Sequence, residues 1–501
     1  MRTFFCVLSV LLLLGVSSAA AQPAPDFEPI PCPDGITATE CGYVSVPEDH
    51  ANPDGAQIRL AVAISRAENA APDPLFFLVG GPGEDGLVYS VMSQFITDRD
   101  VVVFDQRGAG RSEPTLACTE YTDAILASAT RNSADTNTAL IDAIIACGER
   151  MTADGIPLAV FNATQSAADV DAIRQALGYD QINLWGTSYG TRLAEEVMRS
   201  YPGSLRSVIL DSVIPPEIDR PVETAPAVAG ALASVFAACA ADADCNAAYP
   251  QIAERYQTLV ARLDAEPYLY TMTAGDTTLD IPISGGTVAA IMLSSMYSAV
   301  GVAQVPFLVD QFSHENYAVL ESAAASQTSA AMVSAMTMGM FFATECRGEV
   351  AYSDADAMAS VYETLPEWRS VLGSTAGLAS ERVYEICARW NLTMPSGEEN
   401  TPLESDVPTL VMTGEFDPAT PPAWVALAAD GLSQHYAYII PGQAHGPGLT
   451  SECGFGLAVA FLADPTHEPD TACLASGSID FTLPDEMLPA MGAPEATETV
   501  D

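Results

Sequence analysis

Three observations predict an α/β chain with a doubly wound, mostly parallel sheet and an inserted helical unit. Continuous apolar runs occur at strand length, helix-spaced stretches with short connections separate them, and the pattern breaks off once before resuming. The break runs from about residue 217 to 400, where the chain turns Ala-, Ser- and Met-rich and mostly helical in pattern.

Residues 1–21 read as a cleavable signal peptide: Arg2 supplies a positive start, an apolar stretch runs from Phe4 to Val16, and Ala19-Ala20-Ala21 offers a small-residue cleavage site. The stretch is short for a bilayer span, which needs about 20 residues. No later segment reads as apolar for long enough to span a membrane, so the mature chain is expected to be secreted or periplasmic.

Residues 22–215 form the first part of the core. "QIRLAVAISRA", "PLFFLVG" and "DVVVFDQRG" read as strands, the last two buried on both faces. "QSAADVDAIRQALGY" spaces Ala168, Val170, Ile173 and Leu177 as a helix ending at Gly178. "QINLWG" is a strand, "TRLAEEVMRSYP" a helix stopped by Pro202, and "LRSVILDSV" another strand. Residues 216–402 are the helical cap. The core resumes over 403–478 with "VPTLVMTGEFDP" and "HYAYIIPGQAHG", and 479–501 reads as a loosely held, acidic, Pro-rich tail.

A net charge of −46 excludes nucleic acid as a natural partner, because a polyanion is repelled across most of the surface. All 19 basic residues are arginine, which removes any Walker A lysine. Of the 11 cysteines, ten remain after Cys6 leaves with the signal, an even number that suits an oxidised framework. Joining near neighbours gives Cys32–Cys41, Cys118–Cys147, Cys239–Cys245, Cys346–Cys387 and Cys453–Cys473. A metal site is not expected, since paired CxxC spacing and nearby histidines are both missing. No cofactor is expected either.

"GTSYG", residues 186–190, stands between strand and helix, and asks whether Ser188 is a nucleophile or part of a plain corner. A serine hydroxyl needs a base in reach and an acid to orient the base. Of the five histidines, His445 alone lies directly beyond a buried-type strand, among Gly442, Gly446 and Pro447. Two aspartates close strands: Asp417, ahead of Pro418, and Asp211, held in reserve and read as structural. "GPGEDG", residues 81–86, matches a dinucleotide loop, but Pro82 removes a donor the phosphates would need. The same glycines suit an oxyanion loop, with Gly81 and the backbone N–H of Tyr189 as donors. "DQRGAGRS" reads as structural, with Asp105 and Arg107 tying neighbouring loops.

"GGPG", "DQRGAGRS", "GTSYG", "GEFDPATP" and "GQAHG" occur in the order found in the proline iminopeptidase and tripeptidyl aminopeptidase branch of the α/β-hydrolase fold, the secreted S33-type serine peptidases, which the chain resembles over about residues 40–460. Val79 stands where that family's glycine motif often begins with histidine. The resemblance implies an α/β-hydrolase fold with Ser188 as nucleophile, Asp417 as acid and His445 as base. It also implies cap carboxylates that hold the substrate's free amino terminus, Glu349 first and Glu345 second, in "FFATECRGEV". The bland alternative makes these solvated glutamates beside a disulfide. The expected function is an exported serine aminopeptidase acting on peptides with a free amino terminus. The alternatives are a carboxylic-ester hydrolase with the same triad and a non-catalytic binding protein on the same fold.

Overall fold

The computed structural model describes residues 25–128, 133–274, 277–316, 318–320, 336–373, 377–394 and 399–484. The strands among them are β1 (Phe27–Ile30), β2 (Glu40–Pro47), β3 (Gln57–Ser65), β4 (Ala71–Leu78), β5 (Arg99–Phe104), β6 (Ile182–Thr187), β7 (Leu205–Asp211), β8 (Tyr268–Ala274), β9 (Thr277–Ile283), β10 (Thr409–Gly414) and β11 (His435–Ile440). Nine form one sheet in the order β1-β2-β3-β5-β4-β6-β7-β10-β11. The first three joins are antiparallel, and every join from β5 to β11 is parallel. The strand runs expected from sequence all occur. β1 and β2 add an antiparallel edge that the sequence reading passed over.

Alternate residues explain why the central runs are apolar throughout. Phe76, Leu78, Val102, Phe104 and Leu184 face one core cluster, shared with the helices Ala163–Ala176 and Tyr189–Ser200. Leu75, Phe77, Val101, Val103 and Trp185 face the other, against the helix Glu452–Ala463. Each fully buried side chain of this size contributes about 1.5–3 kcal/mol.

A mostly helical stretch lies between β7 and β10 in the chain, and among the described residues it includes one hairpin, β8–β9. The sequence reading missed a second contribution to it. The helices Thr119–Ser128 and Ser133–Ala153 precede the Ser188 strand, yet Ile141, Ile144 and Met151 belong to the same core cluster as cap residues Phe342 and Trp390. Trp390 donates its indole N–H to the Ile144 carbonyl (3.2 Å) and packs so closely on Gly148 that a Cβ there would lie 2.1 Å from the ring. The cap is therefore built from two stretches of chain.

Two further expectations need correction. The 22-residue helix Arg220–Ala241 is long and apolar enough to cross a membrane by length and composition, which the sequence reading denied to every later segment. Here it packs in the cap, burying Val228, Leu232, Val235, Phe236 and Cys239. The stretch from residue 479 is not loose where it begins, because Phe481 is buried, Thr482 N–H donates to Ala303, and the Thr482 carbonyl accepts from the Tyr249 hydroxyl at 2.7 Å. Residues 485–501, like the expected signal at 1–21, lie outside the described residues.

All five expected cysteine pairs are bonded. Cys346–Cys387 joins cap segments 41 residues apart, and Cys118–Cys147 braces the two helices that precede the Ser188 strand.

Candidate active site

The parallel strands deliver their loops to one edge, where open α/β sheets place ligands. Ser188 follows β6 directly and starts the helix Tyr189–Ser200 at φ 57°, ψ −126°, a strained backbone for a residue with a Cβ. Its surroundings hold it there: Ser188 N–H donates to the Asp211 carbonyl (3.0 Å), and both Thr191 N–H and its hydroxyl donate to the Ser188 carbonyl. The flanking glycines are required by close approach. A Cβ on Gly190 would sit 2.0 Å from the Leu78 carbonyl oxygen, and one on Gly186 would sit 2.3 Å from that of Gly190. At this corner Ser188 is half-buried, with the glycines on either side letting the neighbouring backbones close in.

His445 lies on the loop after β11. Its Nδ1 is 2.8 and 3.0 Å from the two carboxylate oxygens of Asp417 on the loop after β10. A Cβ added to Gly446 would meet the Thr187 side chain at 3.5 Å, so the histidine loop adjoins the serine corner. The Tyr297 ring of the cap stands edge-on to the imidazole, 5.4 Å between centroids.

Asp417 is fully buried and thoroughly satisfied. It accepts from the backbone N–H groups of Ala419 and Thr420 and from the hydroxyls of Thr420 and Ser212. Burial alone would raise its pKa, but His445 and these donors bring it below the usual carboxylate value. Burial alone would lower the His445 pKa, and Asp417 more than reverses it, so the imidazole is a stronger base than usual.

Ser212 is a site residue that sequence reasoning missed. Its backbone is left-handed (φ 59°), its hydroxyl donates to Asp417 Oδ2 (2.8 Å), and Ser212 Oγ in turn accepts from Gly446 N–H (2.7 Å). It thereby ties the acid loop to the histidine loop. Asp211, the reserve acid, is fully buried, accepts from Gly448 N–H, and meets the Trp185 indole at 3.5 Å. Burial pushes its pKa up to about 7, and it makes no hydrogen bond to His445 among the described residues.

The glycine loop after β4 presses on the serine. Gly81 takes φ +102°, and a Cβ on Gly80 would lie 3.2 Å from Ser188 Cβ. Tyr189 N–H is the first of the helical donors that have no intrahelical acceptor. The Tyr189 side chain is buried in the core cluster shared by the sheet and its helices. Asp105 and Arg107 are structural as expected: Asp105 accepts from Leu87 and Arg111 N–H, and Arg107 grips both oxygens of Asp169 at 2.7 Å.

Glu345 and Glu349 are not the solvated glutamates of the bland alternative. They are buried, and each is already held by an arginine. Arg220 reaches both oxygens of Glu345 (2.8 and 3.0 Å), and Arg192, on the helix that follows Ser188, binds Glu349 Oε1 at 3.0 Å. Burial raises the Glu349 pKa to about 7 against the pull of Arg192 and Arg220. Both carboxylates are engaged by arginine, although Glu349 Oε2 is buried with no hydrogen-bond partner among the described residues. The Arg192–Glu349 pair ties the end of the cap helix Met338–Gly348 to the helix that follows Ser188, and the Arg220–Glu345 pair joins two cap helices.

Residues 73–451 match the family described as alpha/beta hydrolase fold. Serine protease Hip1 of Mycobacterium tuberculosis (strain ATCC 25618 / H37Rv) is 31% identical over 223 residues, 42% of this chain and 42% of that protein. Tripeptidyl aminopeptidase of Streptomyces lividans is 32% identical over 200 residues, 36% of each. Carboxylesterase B of Mycobacterium tuberculosis (strain CDC 1551 / Oshkosh) is 32% identical over 252 residues, 46% of this chain and 48% of that protein. Each match spans less than half of the relative's length.

Proposed function

Because the chain belongs to the alpha/beta hydrolase fold family, we propose that it is an exported serine aminopeptidase in which Ser188, His445 and Asp417 carry acyl transfer. The observation that carries this reading is the pairing of His445 Nδ1 with both oxygens of buried Asp417, beside a strained serine corner. A histidine so oriented turns its other ring nitrogen outward to accept the Ser188 proton. Ser188 Oγ then attacks the scissile carbonyl, and backbone donors at Gly81 and Tyr189 stabilise the oxyanion. The protonated His445 gives its proton to the leaving amine, which departs with a new amino terminus, and water releases the acyl group from Ser188 by the same steps.

Preference for free amino termini draws support from the relative named tripeptidyl aminopeptidase, and export from the five disulfides, which persist in oxidising compartments. Ester hydrolysis is the second reading, favoured by the relative named carboxylesterase B. A panel of free and amino-blocked peptides beside short acyl esters, with fragments weighed by mass spectrometry, separates the two. Faster turnover of blocked peptides or plain esters would sink the aminopeptidase reading. Fluorophosphonate labelling that disappears in Ser188→Ala is expected; an unlabelled, folded wild type would argue for a binding protein.

A further inference from the structure

The loop that carries the expected oxyanion donor also carries an acid, Glu84, which has no role so far. It is only partly exposed, and among the described residues it has no ion-pair partner. Its Oε2 accepts from the Tyr89 hydroxyl at 3.3 Å, and Tyr89 is itself packed on Phe77 with centroids 4.9 Å apart. That leaves Oε1 on the side of the serine. A Cβ built on Gly80 would lie 3.2 Å from Ser188 Cβ and 3.6 Å from Glu84 Oε1, so those two atoms are no farther apart than the two distances laid end to end. Glu84 and His445 also feel each other's charge.

We propose that Glu84 is the specificity-determining carboxylate of this site, binding the α-ammonium of the residue whose carbonyl Ser188 attacks, so that one amino acid is released per cleavage. The inference rests on the aminopeptidase reading and adds to it the length of the product. Covalent geometry supplies the argument. In the attacked residue the α-nitrogen stands only about 2.5 Å from the carbonyl carbon, across two bonds. In an extended tripeptidyl substrate the free ammonium lies roughly 7 Å further away, two residues at about 3.3–3.6 Å each. A carboxylate held within Glu84's distance of Ser188 suits the nearer ammonium better than the farther one. Glu345 and Glu349 are each already paired with an arginine, whereas Glu84 has no such partner among the described residues. A charge-assisted bond formed within a partly closed site also fixes which carbonyl faces the nucleophile.

The test compares wild type with Glu84→Gln and Glu84→Ala on alanyl-p-nitroanilide, its N-acetyl derivative and trialanyl-p-nitroanilide. The readout is the ratio of kcat/KM for the free over the acetylated alanyl substrate, so a general loss of activity cancels. Wild type is expected to release single alanine. Both variants should lower the ratio about 10- to 100-fold, as for loss of a hydrogen bond to a charged group. A ratio that stays put in both variants, or a wild type that releases intact trialanine, overturns the assignment of Glu84 while leaving the aminopeptidase reading in place. A wild type that already prefers the acetylated substrate overturns both.

Discussion

Removing the Ser212 hydroxyl breaks a bridge between the acid loop and the histidine loop while leaving the His445–Asp417 pair itself intact. In Ser212→Ala, Asp417 loses a donor at 2.8 Å and the buried Gly446 N–H loses its acceptor at 2.7 Å. A hydrogen bond to a charged group contributes about 1.5–3 kcal/mol, and an orphaned buried donor costs about 1–3 kcal/mol. A stability loss of roughly 3–5 kcal/mol is therefore expected in chemical denaturation. The fraction felt at the reacting geometry, about 1.4–2.7 kcal/mol, lowers kcat/KM about 10- to 100-fold. Ser212→Gly loses the same two bonds but escapes the left-handed strain at φ 59°, worth about 1–2 kcal/mol. Glycine should therefore be the more stable variant and no more active than alanine. Denaturation midpoints and steady-state kinetics on one chromogenic substrate measure both. The reasoning fails if Ser212→Ala keeps kcat/KM within twofold of wild type, or if Ser212→Gly regains activity along with stability.

Two further outcomes concern pH. His445 must be neutral to accept a proton, and Asp417 raises its pKa, so activity should fall on acidification with a midpoint above the ordinary histidine value of about 6.5. Asp417→Asn should move that limb to lower pH and cut kcat by roughly 10³–10⁴-fold, the scale of loss when the orienting acid of a serine protease becomes an amide; an unmoved limb in the pH–rate profile would refute the pairing. Glu349 is an acid whose pKa is higher folded than unfolded, so its contribution to stability is full below the ordinary value of 4.5 and is lost as pH rises through about 7. Between pH 5 and 8 the denaturation midpoint of wild type should fall more steeply than that of Glu349→Gln, whatever the variant loses by unpairing Arg192; parallel slopes would show that Glu349 does not titrate there.

What the sequence determined by itself is what local pattern can encode. Strands buried on both faces have to be apolar at every position, so "PLFFLVG" and "DVVVFDQRG" could be read without a partner in view. The serine corner needs small residues where backbones meet, and Gly186 and Gly190 announce it. Asp417 and His445 follow strand ends, and all the strands from β5 onward in the sheet open on one edge. Near cysteine neighbours paired because short loops cost little entropy to close.

Only the tertiary structure decided the rest, because those choices depend on neighbours far away along the chain. A serine in "LDSV" carries no local mark of meeting Asp417, 205 residues on. Glu349 looks like any surface glutamate until Arg192, 157 residues earlier, is folded against it. The helix Ser133–Ala153 shows an apolar face in sequence, but whether that face meets the sheet or the cap is settled by Trp390. Glu84 gains its meaning from the fold in the same way, since the distance from one loop to the serine of another is set by the sheet that carries both.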